Sequence, residues 1–218
     1  MNRQFPDGPI VFFGASYIAG WNVTHLAGIP VVNKGIPGNQ THELVARFED
    51  DVVPCRPRAV LIWGIDNDVI RTPRERIEEG CERVGRNLER LVAMARTHGI
   101  EPILVTDLTL RPPNRWLEGV AAVVGTLRGR QSYQDYINGH VLRLNGFIRD
   151  LARRENVLLL DLHPLVSGPG GMRRREYAQD DGSHLTPAGY RVLEAYVTPR
   201  IEQWFGEAVA VRAAHARR

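Results

Sequence analysis

The stretch Ile10–Trp21, IVFFGASYIAGW, changes character halfway along. Four apolar residues run into Gly14-Ala15-Ser16, and helix-compatible residues come next. A short continuous apolar run bounded by a glycine reads as a buried strand, and Gly14-Ala15-Ser16 reads as a strand-to-helix corner. The corner is either an ordinary tight turn or a place where Ser16 is presented as a nucleophile. The rest of the chain has to decide between them.

Working outward, similar runs recur: PIVFFG (9–14), IPVVNKG (29–35), AVLIWG (59–64), PILVTD (102–107) and VLLLDL (157–162). Each is nearly continuous in apolar residues, as expected of strands covered on both faces. Amphipathic helical patterns lie between them. From Thr72 to His98, residues Ile77, Cys81, Val84, Leu88, Leu91 and Ala95 fall at spacings of three and four, which predicts one buried stripe with Cys81 in the core. The segments 132–155 and 186–205 read as helices too, the second with Thr186 as N-cap and Pro187 at the first helical position. Strands alternating with helices predict an α/β fold, a three-layer α/β/α domain around a five-stranded parallel sheet. The whole chain, 1–218, reads as one such domain, with an insertion after strand four at about 107–131 and a basic C-terminal tail at about 206–218. Within the insertion, Trp116, Val120, Val123, Val124 and Leu127 share an apolar helical face. That face suits a pocket wall, a subunit contact or plain packing.

Composition narrows the function classes. At 218 residues, 43% hydrophobic and 24% charged, the chain has the make-up of a soluble globular domain with one sizeable core. No apolar run approaches the roughly 18–20 residues of a membrane span. The N-terminal MNRQFPDGP carries no apolar targeting segment, and Cys55 and Cys81 make no disulfide framework, so a cytoplasmic setting is expected. Lys34 is the only lysine, and the net charge of +3 is therefore carried by arginines. These are scattered among glutamates on the helices, which argues for solvated faces and against a nucleic-acid footprint. The densest cluster, MRRRE at 172–176, is read as a solvated loop, with contact to an anionic substrate group as the other reading.

In a parallel sheet the carboxyl ends of the strands form one rim, where residues from distant loops can meet. Four segments fall there: Gly14-Ala15-Ser16, NKGIPGN (33–39), GIDND (64–68) and DDGSHLTPAGY (180–190). A serine hydroxyl needs a base within reach, and His184 is the candidate. Asp181, three residues earlier, can hold the other ring nitrogen. An oxyanion needs preorganised donors, which the Ser16 and Gly38 backbone N–H groups and the Asn67 amide can offer.

Taken together, the four blocks resemble the SGNH, or GDSL-type, hydrolases, named for Ser, Gly, Asn and His in that chain order. The matching residues are Ser16, Gly38, Asn67 and His184, and the resemblance spans roughly residues 9–205. Asp181-x-x-His184 followed by LTPAGY carries most of its specificity. The resemblance implies a flavodoxin-like SGNH hydrolase fold and a serine esterase or lipase. Its catalytic residues would be Ser16, Asp181 and His184, with an oxyanion hole of Ser16, Gly38 and Asn67. It implies no cofactor and no metal. The partners expected are a small-molecule ester substrate, no nucleic acid and no membrane span, with a homo-oligomer left open.

Two departures matter. Ala15 stands where the family has an aspartate, which removes a hydrogen-bonding side chain beside the nucleophile. GIDND has one residue more before the asparagine than Gly-x-Asn-Asp, so Asp66 competes with Asn67 for the oxyanion position. Asn67 is the reading adopted. Asp161 and His163 form a second carboxylate–imidazole pair, read as structural because two ligands make a poor metal site. The substrate expected is a small or medium-chain carboxylic ester. Acyl transfer on the same site, a catalytically impaired binding module and a nucleotide-binding module remain as alternatives. The last lacks any Gly-x-Gly-x-x-Gly or P-loop spacing.

Overall fold

A computed structural model describes residues 7–111 and 132–215, with residues 207–215 as backbone alone. Its strands are β1 (Ile10–Gly14), β2 (His25–Leu26), β3 (Ile29–Gly35), β4 (Ala59–Trp63), β5 (Glu101–Val105) and β6 (Leu158–Leu160). Its helices are α1 (Ser16–Ala19), α2 (Thr41–Asp51), α3 (Asp66–Arg71), α4 (Ile77–Thr97), α5 (Tyr133–Glu155), α6 (His163–Val166) and α7 (Pro187–His215). The sheet order is β2-β3-β1-β4-β5-β6. The five strands expected are there, all mutually parallel.

The sheet gains one strand that the sequence pattern did not suggest. Strand β2 is two residues long and pairs antiparallel with β3, His25 opposite Pro30 and Leu26 opposite Ile29. The turn between them is Ala27-Gly28, with φ of 49° and 76°, the positive pair that a tight hairpin needs. Two residues are too short to show a period, so only that turn could have announced it.

Parallel strands buried on both faces send alternate residues to opposite layers. Val11 and Phe13 of β1 join Val60, Ile62 and Leu104 against Leu44, Phe48, Val84, Leu88, Leu91, Leu144 and Ile148 from α2, α4 and α5. Ile10 and Phe12 join Leu61, Trp63, Ile103 and Val105 against Leu193, Val197 and Ile201 from α7. Both layers are apolar, which is why the strands read as continuous rather than alternating runs. The stripe predicted for α4 is the one it buries, Cys81 included. Helix α7 is capped as expected, with the Thr186 hydroxyl oxygen accepting from Gly189 N–H at 3.2 Å.

Most of the predicted insertion, including Trp116 and its apolar face, lies outside the described residues. The cluster at 172–176 is solvated as read at Arg174, Arg175 and Glu176, and departs from the reading at one residue. Arg173 is fully buried, not solvated. The reason is polar partnership with Tyr17, far away in sequence, and with the carbonyl of Ser183.

Candidate active site

The nucleophile corner is built by the centre of the sheet. Strand β1 is buried along its whole length and lies between β3 and β4. Gly14 ends it in close contact, since a Cβ there would stand 1.8 Å from the Trp63 carbonyl oxygen. Ala15 N–H donates to that same oxygen at 3.2 Å. Ser16 then opens α1, so its backbone N–H belongs to the unsatisfied first turn of a helix. Ala15 is buried and supplies no side-chain cap; its methyl packs toward Gly64, whose own Cβ would approach it to 2.9 Å. An aspartate at this position would have to fit into that contact.

The second rim segment starts beside the first. Ile36 N–H donates to Gly14 O at 3.1 Å, and Gly38 follows with φ of 81°, a conformation glycine adopts without strain. Asn67, in the first turn of α3, donates its side-chain amide to Asn39 O at 3.2 Å, so it stands against the Gly38 loop. Asp66, its competitor, lies near Asp107 and Arg173. It is buried, and its Oδ1 accepts Asn67 N–H at 2.9 Å. Burial pushes the Asp66 carboxyl well up, and the charge of Asp107 adds to this, while Arg173 opposes it. Asp107 is held by the N–H groups of Ile65 at 2.6 Å, Leu108 at 2.8 Å and Asp66 at 3.2 Å.

His184 comes from a turn fixed by hydrogen bonds rather than by packing. Asp181 Oδ1 accepts Ser183 N–H at 2.8 Å and His184 N–H at 2.9 Å, and its Oδ2 meets His184 Nδ1 at 2.5 Å. Burial would raise the Asp181 carboxyl, but the His184 ring and these N–H donors outweigh it and lower it, so Asp181 stays ionised. An ionised Asp181 at Nδ1 assigns the proton to that nitrogen and leaves Nε2 as the acceptor. Ser16 and His184 line one cleft of about 530 Å³, together with Trp21, Gln179, Leu185 and Tyr190. Asn22, Arg191 and Glu194 add a polar rim to it.

Two residues that sequence reasoning missed join the corner to the turn. The Tyr17 hydroxyl donates to Ser183 O at 2.9 Å, and Arg173 Nη1 donates to the same oxygen at 2.7 Å. Arg173 Nη2 also donates to the Tyr17 hydroxyl oxygen. Tyr17 stacks on Trp63 with ring centroids 4.9 Å apart, and Tyr190 OH donates to Tyr17 O at 3.0 Å. The residue after Ser16 and the residue before His184 are thus bonded directly. No local motif could have signalled this, because the partners lie 156 and 166 positions apart.

The second carboxylate–imidazole pair is tied elsewhere. Asp161 receives Arg149 at 2.8 and 2.9 Å and Thr106 Oγ1 at 2.9 Å. His163 Nε2 contacts Gly171 O at 2.9 Å and Ser167 Oγ at 3.0 Å.

A parallel sheet with a serine at the end of its central strand, and an Asp-x-x-His turn across a cleft from it, matches a known class. The GDSL-like lipase/acylhydrolase family model covers residues 12–192, and the chain belongs to that family. Among individual proteins it is similar to lipoprotein YqeF of Bacillus subtilis (strain 168), 25% identical over 178 residues, covering 76% of this chain and 70% of the relative. Among solved structures, a GDSL-like lipase from Bacteroides thetaiotaomicron VPI-5482 superimposes with a TM-score of 0.67 at 23% identity, over 90% of this chain and 89% of that one. An acetylxylan esterase from Geobacillus stearothermophilus does so with a TM-score of 0.63 at 20% identity, over 86% and 91% of the two chains. That esterase was solved as catalytic mutants in which a serine, a histidine or an aspartate is changed to alanine.

Proposed function

We propose that the protein is a serine ester hydrolase acting on small or medium-chain carboxylic esters through a covalent acyl-enzyme on Ser16. The observation that carries this reading is the Asp181–His184 pair facing the cleft that Ser16 also lines. His184 Nε2 takes the Ser16 hydroxyl proton as Oγ bonds to the ester carbonyl carbon. The tetrahedral oxyanion is met by the N–H groups of Ser16 and Gly38 and the side-chain amide of Asn67. The C–O bond to the alcohol then breaks, and the alcohol leaves with the proton held by His184. Water repeats the sequence on the acyl-enzyme, giving up its proton to His184 and releasing the acid and free Ser16.

Asp181 orients the imidazole and stabilises its positive charge in both halves. Ser16 and His184 share the cleft without a direct hydrogen bond between them among the described residues, and such bonds commonly tighten only once substrate is bound. The acetylxylan esterase supports the assignment of roles, since the same three residue types are its sites of catalytic mutation. No step requires a metal or an organic cofactor. A cytoplasmic setting belongs to the same proposal and rests on the two free cysteines, Cys55 and Cys81.

A series of p-nitrophenyl esters from acetate to palmitate tests the reading. Hydrolysis is expected to peak at short or medium chains and to be lost in His184→Ala. Activity that climbs steadily to palmitate would overturn the substrate class. Activity retained in His184→Ala would remove His184 from the base role.

A further inference from the structure

Against the Gly38 loop lies a second, smaller cleft of about 170 Å³, lined by Gln40, Arg71, Thr72, Pro73, Arg76, Glu79 and Arg83. Its charge is unbalanced. Arg76 is paired with Glu79 at 2.9 Å. Arg83 donates to a neutral partner, Thr72 Oγ1, at 3.2 Å. Asp68 feels the charge of Arg83, but both its oxygens are taken, by Thr41 N–H at 2.8 Å and Thr41 Oγ1 at 2.9 Å. Arg71, the last residue of α3, has no hydrogen bond or ion pair among the described residues.

The position of this cleft is as informative as its charge. A Cβ built on Gly38 would stand 2.6 Å from Arg71 Nη2, so the guanidinium rests against the backbone of a candidate oxyanion donor. Gln40, which lines the cleft, donates to Asn67 O at 3.3 Å, and Asn67 in turn reaches Asn39 O. The cleft therefore borders both the loop and the asparagine assigned to the oxyanion. The Arg71 guanidinium, which has no ion-pair partner among the described residues, and that of Arg83, hydrogen-bonded only to Thr72 although Asp68 lies within its field, present planar donor forks of the kind that hold carboxylates and phosphates.

We propose that Arg71 and Arg83 form an anion subsite that holds a carboxylate or phosphate carried by the substrate, so that the preferred esters are anionic. The kinetic part of this inference rests on the ester-hydrolase reading, whereas the binding part does not. Two matched pairs of substrates locate the charge: p-nitrophenyl hemiglutarate against its methyl ester for the acyl side, and 4-acetoxybenzoate against its methyl ester for the alcohol side. After subtraction of uncatalysed hydrolysis, kcat/KM is expected to favour the anion in one pair by roughly tenfold or more, the scale of one charge-assisted hydrogen bond. That ratio is expected to collapse in Arg71→Gln/Arg83→Gln and to shrink as salt is raised. Separately, inorganic phosphate titrated calorimetrically into the native chain and into the double variant is expected to bind the native chain more tightly by a similar factor.

Absence of charge preference in both pairs overturns the proposal, even if phosphate binds. So does a preference that survives the double substitution. Inert esters combined with arginine-dependent phosphate binding would leave the subsite standing and remove the ester-hydrolase reading instead.

Discussion

The two halves of the candidate active site are held by different forces. Ser16 sits at the end of β1, a strand with every residue buried, and Gly14 is locked against Trp63 O. Its position follows from the sheet. The side chains of His184 and Asp181 are 43% and 48% exposed, so packing alone cannot fix them. Their position follows from hydrogen bonds: Asp181 to two N–H groups within the turn, and Tyr17 and Arg173 to Ser183 O. The comparison teaches that the candidate nucleophile can be displaced only by unsettling the fold. The candidate base can be displaced by removing one or two polar contacts, with the fold otherwise intact.

Substitutions at the donors and at the clamp test that difference. Asn67→Ala removes a candidate oxyanion donor from the packed half, and kcat should fall about 10²–10³-fold with KM little changed. A loss confined to KM would contradict the donor role. Arg173→Met keeps length and removes the charge from the clamp. It should lower kcat more than KM, by about tenfold or more, because a hydrogen bond from a charged group is lost together with a tie on the His184 turn. If kcat fell only in step with the folded fraction measured by circular dichroism, Arg173 would be a stability residue and the contrast would lose half its support. Tyr17→Phe deletes one hydroxyl of the same clamp, and a milder loss of about two- to tenfold is expected, equivalent to about 0.5–1.5 kcal/mol.

The smallest effect concerns Asp66, to which the proposed mechanism gives no role. Burial raises its carboxyl in the folded chain above the unfolded value. The folded state then holds a proton that the unfolded state has already released, so this group favours folding most at low pH. Its contribution is lost as pH rises from about 4 toward the raised folded value. Asp66→Asn should flatten the fall of Tm across that range, by a few degrees at neutral pH. An unchanged pH slope would show that Arg173 keeps Asp66 ionised throughout.

Much of this was legible in the sequence, and the reasons are physical. Parallel strands covered on both sides are apolar along their length, so β1, β4 and all but the first residue of β5 stood out as runs, and the stripe of α4 was visible at its period. The Asp181–His184 pair was legible because three residues within one turn bring a carboxylate back to an imidazole. Asn67 against Asp66 was a register choice in the sequence; Asn67 donates to Asn39 O beside the Gly38 loop, and Asp66 is buried. Arg173 was misread because local sequence shows three adjacent arginines and says nothing of Tyr17 and Ser183, which remove one of them from solvent. The unpaired Arg71 was invisible for the same reason: its significance lies in what it touches across the loop.

The most direct test of the central claim is active-site labelling with a fluorophosphonate, located by mass spectrometry in the native chain, Ser16→Ala and His184→Ala. The account predicts one adduct on Ser16, none in Ser16→Ala and strongly slowed labelling in His184→Ala, with ester hydrolysis lost in parallel. A folded native chain that stays unlabelled at Ser16, or that labels there at the same rate without His184, would contradict it.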